Sequence, residues 1–153
     1  MQLDVADDDW RRKLRERPVD AAPTLQSDAG KPRKTRRPKR VLIVEDDIDS
    51  ARSMFMLLED MGHTVEYAIN GYVAVDRVLR FRPDFVLLDL GLPDIDGFDV
   101  CRRIKAHAEL RHVRVIVITG YANDEYRVRS NAAGCELHLV KPVATSVIEY
   151  LLG

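Results

Sequence analysis

The chain has 153 residues, 46% of them hydrophobic and 32% charged, with a net charge of −1, which is ordinary for a soluble protein with one sizeable core. No apolar stretch approaches the roughly 20 residues that span a bilayer, and the acidic start through Trp10 is not a secretory signal, so a cytoplasmic protein with no membrane span is expected. Cys101 and Cys135 are too few for a disulfide framework and lack a metal-ligand pattern; they read as two reduced thiols at or near helices.

The near-zero total charge hides an asymmetry. Residues 1–40 carry 12 Lys/Arg against 7 Asp/Glu and residues 41–153 carry 12 against 18, so the first part is about +5 and the rest about −6. Asp7-Asp8-Asp9 before Trp10 and Leu14 can start a short helix, marginal by itself. Lys31 to Arg40 holds seven cations, two prolines and no apolar residue, so it cannot bury enough surface to offset its ordering entropy. Residues 1–40 are therefore read as a disordered basic extension and linker. Their clustered cations suit phosphate contacts, but no aromatic residue is interleaved to stack on bases, so sequence-specific nucleic-acid binding is not expected.

From Val41 onward, short apolar runs alternate with helix-period segments, the pattern of βαβ units. Strands are predicted at 40–45, 64–69, 84–89, 114–118 and 136–140. The first helix has Ala51, Met54, Leu58 and Met61 at spacings of three and four before Gly62, and later helices follow near 71–81, 97–107, 122–133 and 144–152. Residues 41–153 thus read as an α/β domain with a flavodoxin-like, doubly wound sheet of five parallel strands in the order 2-1-3-4-5 and helices on both faces.

That order places the first strand beside the third. Glu45 and Asp46 end the run Val41-Leu42-Ile43-Val44, and Asp89 ends Phe85-Val86-Leu87-Leu88, so three carboxylates share the crevice at the strands' carboxyl ends. Such crowding is tolerable if some pKa values rise or a hard divalent cation sits among the acids, with magnesium the natural choice and manganese the alternative. Thr119 and Lys141 end the fourth and fifth strands and project to the same place. Phosphoryl transfer to Asp89, giving an acyl phosphate, is the reaction that uses every part. The cation and Lys141 would neutralise charge on the phosphoryl oxygens, and Thr119 would donate a hydrogen bond to one of them.

These residues resemble the receiver domains of two-component response regulators over about 41–153. The resemblance is carried by Glu45-Asp46, Asp89 with Leu92-Pro93 and Asp96-Gly97 behind it, Thr119-Gly120 and Lys141-Pro142. It implies that Asp89 takes phosphate from a kinase phosphohistidine, that Glu45, Asp46, Asp89 and the Gly91 carbonyl hold magnesium, and that the Lys141-Pro142 bond is cis. It implies a switch in which Thr119 moves toward the phosphoryl group and an aromatic three residues before the lysine turns inward; that position is His138 here. Gly91 and Tyr121 correspond to places where the family tunes attack by water, and glycine with tyrosine there predicts slow self-hydrolysis. The protein is then a signalling phosphoacceptor that assists its own phosphorylation and dephosphorylation rather than an enzyme.

The chain ends soon after the fifth helix, so output is expected through the face of the fourth helix, fifth strand and fifth helix, read by a downstream protein or a second copy. Val147, Ile148 and Leu151 are expected inward, Tyr150 and Leu152 outward. The implied upstream partner is a sensor histidine kinase or hybrid kinase; the strings around Asp89 and Lys141 look more like receivers of hybrid kinases. A phosphorylation-incompetent scaffold, and a relay intermediate passing phosphate to a histidine phosphotransfer protein, are the alternatives. An aspartate-nucleophile phosphatase of the haloacid dehalogenase type needs a second aspartate where Gly91 stands. Taken singly, either Asp46 or Asp47 reads as a helix cap, Asp96 as another, Thr119 as a polar strand end and Lys141 as a solvated charge.

Overall fold

A computed structural model describes residues 37–120 and 123–153. The Trp10–Leu14 segment, most of the basic stretch and Tyr121 lie outside the described residues. The elements run β1 (Arg40–Val44), α1 (Ile48–Asp60), β2 (Thr64–Ala68), α2 (Gly71–Phe81), β3 (Phe85–Leu88), α3 (Gly97–Ala106), a 3-10 turn (Ala108–Leu110), β4 (Arg114–Thr119), α4 (Asp124–Ala133), β5 (Leu137–Val140) and α5 (Thr145–Leu152). The strands form one parallel sheet in the order β2-β1-β3-β4-β5.

The continuous apolar runs are explained by the sheet's two covered faces: Val41 to Val44 and Phe85 to Leu88 are all buried, because helices pack on both sides of a parallel sheet. β5 is one of the two edge strands, and all four of its residues stay half-buried. Each of the first four helices starts on a polar side chain that accepts backbone N–H groups: Asp47 for α1, Asn70 for α2, Asp96 for α3 and Asn123 for α4. The stops are Gly62 after α1 and Gly134 after α4, both at positive φ, where a side chain would be strained.

Two local expectations are corrected and one element is added. The inward face of α1 is Ala51, Phe55 and Leu58, with Met54 half-buried at the side of a cleft; the spacing of 51, 55 and 58 is also helical, and the larger ring takes the core position, edge-on to Tyr67. In α5, Ile148 and Leu152, four residues apart, are buried, whereas Val147 is exposed and Leu151 half-buried. The short turn Ala108–Leu110 was not predicted; it drives Leu110 fully into the core.

Lys39 and Arg40, counted with the basic segment in the sequence, are tied to the body. The Arg40 guanidinium lies 4.3 Å over the Phe81 ring and donates to the Phe81 carbonyl at the end of α2, and the Lys39 N–H donates to His63 Nδ1 at 3.0 Å. His63 is buried and its Nε2 has no hydrogen-bond partner. Burial, helped by the nearby Lys39 charge, keeps its pKa below the ordinary histidine value. The folded ring thus takes up a proton less readily than the unfolded one. Its contribution to stability is complete above the unfolded value of about 6.5 and declines as pH falls below it. The urea midpoint of the wild type is expected to drop more steeply from pH 7.5 to 5.5 than that of His63→Gln; parallel pH profiles would refute the assignment.

Candidate functional site

The register decides which side chains meet. Val44 pairs with Leu88, so the next residues, Glu45 and Asp89, leave the sheet at one level, and the Asp89 N–H donates to the Val44 carbonyl at 2.9 Å. Leu88 also pairs with Val117, and Thr119 pairs with Val140, which brings Lys141 in behind them. The Lys141 N–H donates to the Thr119 carbonyl at 2.8 Å. Its ammonium then reaches back across the crevice, donating to Glu45 Oε2 at 2.7 Å and to Asp89 Oδ2 at 2.8 Å. The Lys141-Pro142 peptide is cis.

Glu45, Asp46 and Asp89 each offer a carboxylate oxygen, all within 4.8 Å of one another. Their surroundings separate them. Glu45 is buried, and its Oε1 accepts the Asp47 N–H at 3.1 Å; burial and the hydrogen bond it shares with Asp89 push its pKa up to about 7. Burial also acts to raise Asp89, but hydrogen bonds from Glu45, Lys141 and the Gly91 N–H outweigh it and hold that carboxyl below its ordinary value. Asp46 is exposed, and the cap of α1 is Asp47, which accepts the N–H groups of Asp49 and Ser50. Of the two cap candidates, Asp47 therefore takes the role and leaves Asp46 to the acid cluster, while Asp96 is a cap, accepting the Phe98 N–H at 2.8 Å and pairing with Arg129 at 3.0 Å.

The donor set is all oxygen, negatively charged, with one buried and one exposed flank. That composition fits a hard cation such as magnesium, which takes one or two carboxylates and completes its shell with water and phosphate oxygens. A cleft of about 600 Å³ adjoins the acids, lined by Met54, Leu57, Leu87, Ile118 and Pro142 together with Asp89.

A family profile described as "Response regulator receiver domain" matches residues 41–152. The chain belongs to the response regulator receiver domain family. Among curated relatives, it is similar to the polar-differentiation response regulator DivK of Brucella anthropi, 38% identical over 109 residues that cover 70% of this chain and 87% of the relative. DivK of Brucella ovis is 35% identical over 108 residues, covering 69% and 86%. Among solved structures, the receiver of a DNA-binding response regulator from Colwellia psychrerythraea 34H superposes with a TM-score of 0.69 at 32% identity, covering 74% of this chain and 94% of that one. A CheY-like receiver protein from Methanospirillum hungatei JF-1 gives 0.69 at 31% identity, covering 76% and 91%. The five-stranded order is that of this fold. Receiver domains bind magnesium through acidic residues, and the receiver's acids lie in one cluster here. Among the described residues, no helix is long and apolar enough to cross a membrane.

Two residues that support the receiver's crevice, Asp94 and Gly71, escaped the sequence reading, and a third, Gly97, has a role beyond the one read there. Asp94 is exposed in the loop after Asp89, yet its two oxygens accept the Gly71 and Tyr72 N–H groups at 2.8 and 2.9 Å, closing the start of α2 from a distance of 22 or more residues. Gly71 lies under Ile95 of the same loop: a Cβ there would sit 2.3 Å from Ile95 Cγ1. Gly97, read from sequence as serving the start of a helix, has a second reason to be glycine. A Cβ would stand 2.9 Å from Leu90 Cα and 3.0 Å from the Asp89 carbonyl oxygen. No local signal in the sequence points to Asp94 or Gly71; both depend on which loop crosses which helix.

The remaining predicted positions fall as follows. Gly91 is exposed and its N–H donates to Asp89 Oδ1 at 2.8 Å. Thr119 is fully buried at the end of β4. His138 is half-buried on β5, with Nδ1 2.9 Å from the hydroxyl of Ser130 in α4. Where the family pattern has an aromatic, this receiver has a ring tied to the helix beside it.

Proposed function

We propose that this receiver is a phosphoacceptor switch: Asp89 takes a phosphoryl group from a phosphohistidine of a sensor or hybrid kinase and a protein surface changes in response. The observation that carries the reading is the Lys141 ammonium bridging Glu45 and Asp89, a lysine held by strand register against a carboxylate whose charge is favoured. An Asp89 oxygen attacks phosphorus, the phosphorus–nitrogen bond to the donor breaks, and the electron pair leaves with the imidazole. Lys141 is already in place to neutralise charge gained by the phosphoryl oxygens, and the Gly91 N–H orients the attacking carboxylate. Glu45, Asp46, Asp89 and the Gly91 carbonyl would hold magnesium, or manganese, which when bound supplies positive charge to the phosphoryl oxygens. Thr119 and His138 carry the response toward α4, β5 and α5. On that side Val128 is 67% and Tyr150 86% exposed, a surface suited to a downstream protein or a second copy.

Incubation with acetyl phosphate and magnesium is expected to add about 80 Da to the wild type and nothing to Asp89→Asn by intact mass. Failure of the wild type to gain mass, with its fold intact, would leave only the scaffold reading. Signal lifetime gives a separate check. A Cβ at Gly91 would stand 3.5 Å from Asp89 Oδ1, an ordinary contact, so a side chain fits there beside the acceptor. Gly91→Asn is expected to shorten the life of the phosphorylated state about tenfold, equivalent to about 1.4 kcal/mol of barrier, by orienting a water. Slower loss of phosphate from the variant would oppose this.

A further inference from the structure

Cys101 lies within α3, and Cys135 follows Gly134, the residue that closes α4. The two are 34 residues apart in sequence, both buried in the core cluster, with Sγ atoms 2.9 Å apart. The Cys101 Sγ also lies 3.3 Å from the Ala133 carbonyl. The thiols therefore form a chain: Cys135 donates to Cys101, and Cys101 donates to the Ala133 carbonyl. A buried cysteine is ordinarily an inert small apolar residue, but two that face each other are a dithiol. A disulfide needs sulfurs about 2.05 Å apart, so the pair has to close by less than about 1 Å.

We propose that Cys101 and Cys135 are a redox modification site, at which a hydroperoxide the size of hydrogen peroxide converts the dithiol into an intramolecular disulfide joining α3 to the α4–β5 connection. Cys101 is the nucleophile. It accepts the Cys135 hydrogen bond, which favours its thiolate against the opposing effect of burial, and Lys105 and Arg102 add to that; Cys135, as donor, is pushed the other way. The Cys101 sulfur attacks one peroxide oxygen, the oxygen–oxygen bond breaks, and the departing hydroxide leaves as water with the Cys101 proton. The sulfenic acid left on Cys101 is then attacked by the Cys135 sulfur. The sulfur–oxygen bond breaks, the sulfur–sulfur bond forms, and a second water leaves with the Cys135 proton. The two thiols lose two electrons and the peroxide is reduced to two waters. Cys101 has no exposed surface and Cys135 only 5%, so the peroxide reaches the pair when the end of α4 and the connection after it open locally, and that opening limits the rate.

The crosslink would act on a helix with little apolar anchorage in the core. α4 buries only Ser130 and Ala133 among its described residues, and Ser130 is held by His138 and by the Cys135 N–H donating to its carbonyl at 3.0 Å. Joining Cys135 to α3 restrains that end, so amide exchange in α4 is expected to slow on oxidation.

The test uses the full reduced chain treated with a modest excess of hydrogen peroxide, then intact mass, thiol titration in denaturant and non-reducing electrophoresis. The expected result is a loss of about 2 Da, a fall from two titratable thiols to none, a monomeric band, and full reversal by dithiothreitol. A peptide map should show the Cys101 and Cys135 peptides joined, and neither Cys101→Ser nor Cys135→Ser should lose the 2 Da. Retention of both thiols, oxygen adducts of about 16 or 32 Da without a crosslink, or a disulfide between chains would overturn the proposal.

Discussion

Replacing Lys141 by methionine is expected to slow the proposed phosphoryl transfer to Asp89 by about 100- to 1,000-fold, the range found when one preorganised charge-stabilising donor is removed from a reacting oxygen. The side chain has no comparable role in folding. It is 36% exposed, so its ion pairs are partly screened, although the side chains of Glu45 and Asp89 are themselves only 8% and 13% exposed, and the denaturant midpoint is measured beside the rate to separate the two effects. What changes is the balance within the acid pair. Burial opposes the Lys141 charge, and the two carboxylates together raise its pKa above the ordinary value; Lys141 in turn lowers both of theirs. Without it, Asp89 loses part of what keeps it ionised. The rate of mass gain from acetyl phosphate reads the effect. Lys141→Arg keeps the charge on a longer, planar group that cannot sit between Glu45 Oε2 and Asp89 Oδ2 in the same way, and should recover only part of the rate. A methionine variant that loads at the wild-type rate would remove the lysine from the mechanism.

Gly97→Val is expected to cost about 3 kcal/mol of stability, near the upper end for forcing extra atoms into a packed site. The obstructing atoms are the Leu90 Cα and the Asp89 carbonyl oxygen, both backbone, so no rotamer change relieves the clash. Denaturant midpoints measure the cost. Gly97→Ala should be intermediate, and either variant that still folds should load phosphate more slowly, because the peptide being pushed is the one that carries Asp89, the proposed acceptor. Unchanged stability in the valine variant would mean that α3 can withdraw from the loop.

Much of the domain was readable from local pattern. Unbroken apolar runs marked buried strands, and Gly62 marked the end of α1. The polar residue after each run marked the crevice, so Glu45, Asp89 and Lys141 were placed before any geometry, and Lys141 now sits within hydrogen-bond reach of the other two. Less readable was the choice between neighbours with the same periodicity. Met54 and Phe55, or Leu151 and Leu152, differ by one step around a helix, and the winner is set by the shape of the sheet beneath. Invisible were the through-space pairs: Asp94 with the start of α2, His138 with Ser130, Cys101 with Cys135.

The amino-acid order alone determined the sequence of strands and helices, and which polar groups stand at the strand ends, because both are written in spacings of two to four residues along the chain. Tertiary structure alone decided that Glu45 is the buried acid and Asp46 the exposed one, that Asp94 closes the start of α2, and that Cys101 meets Cys135. Those outcomes follow from strand register and helix packing, which set distances between groups far apart in the chain and, through burial, the charge each one carries.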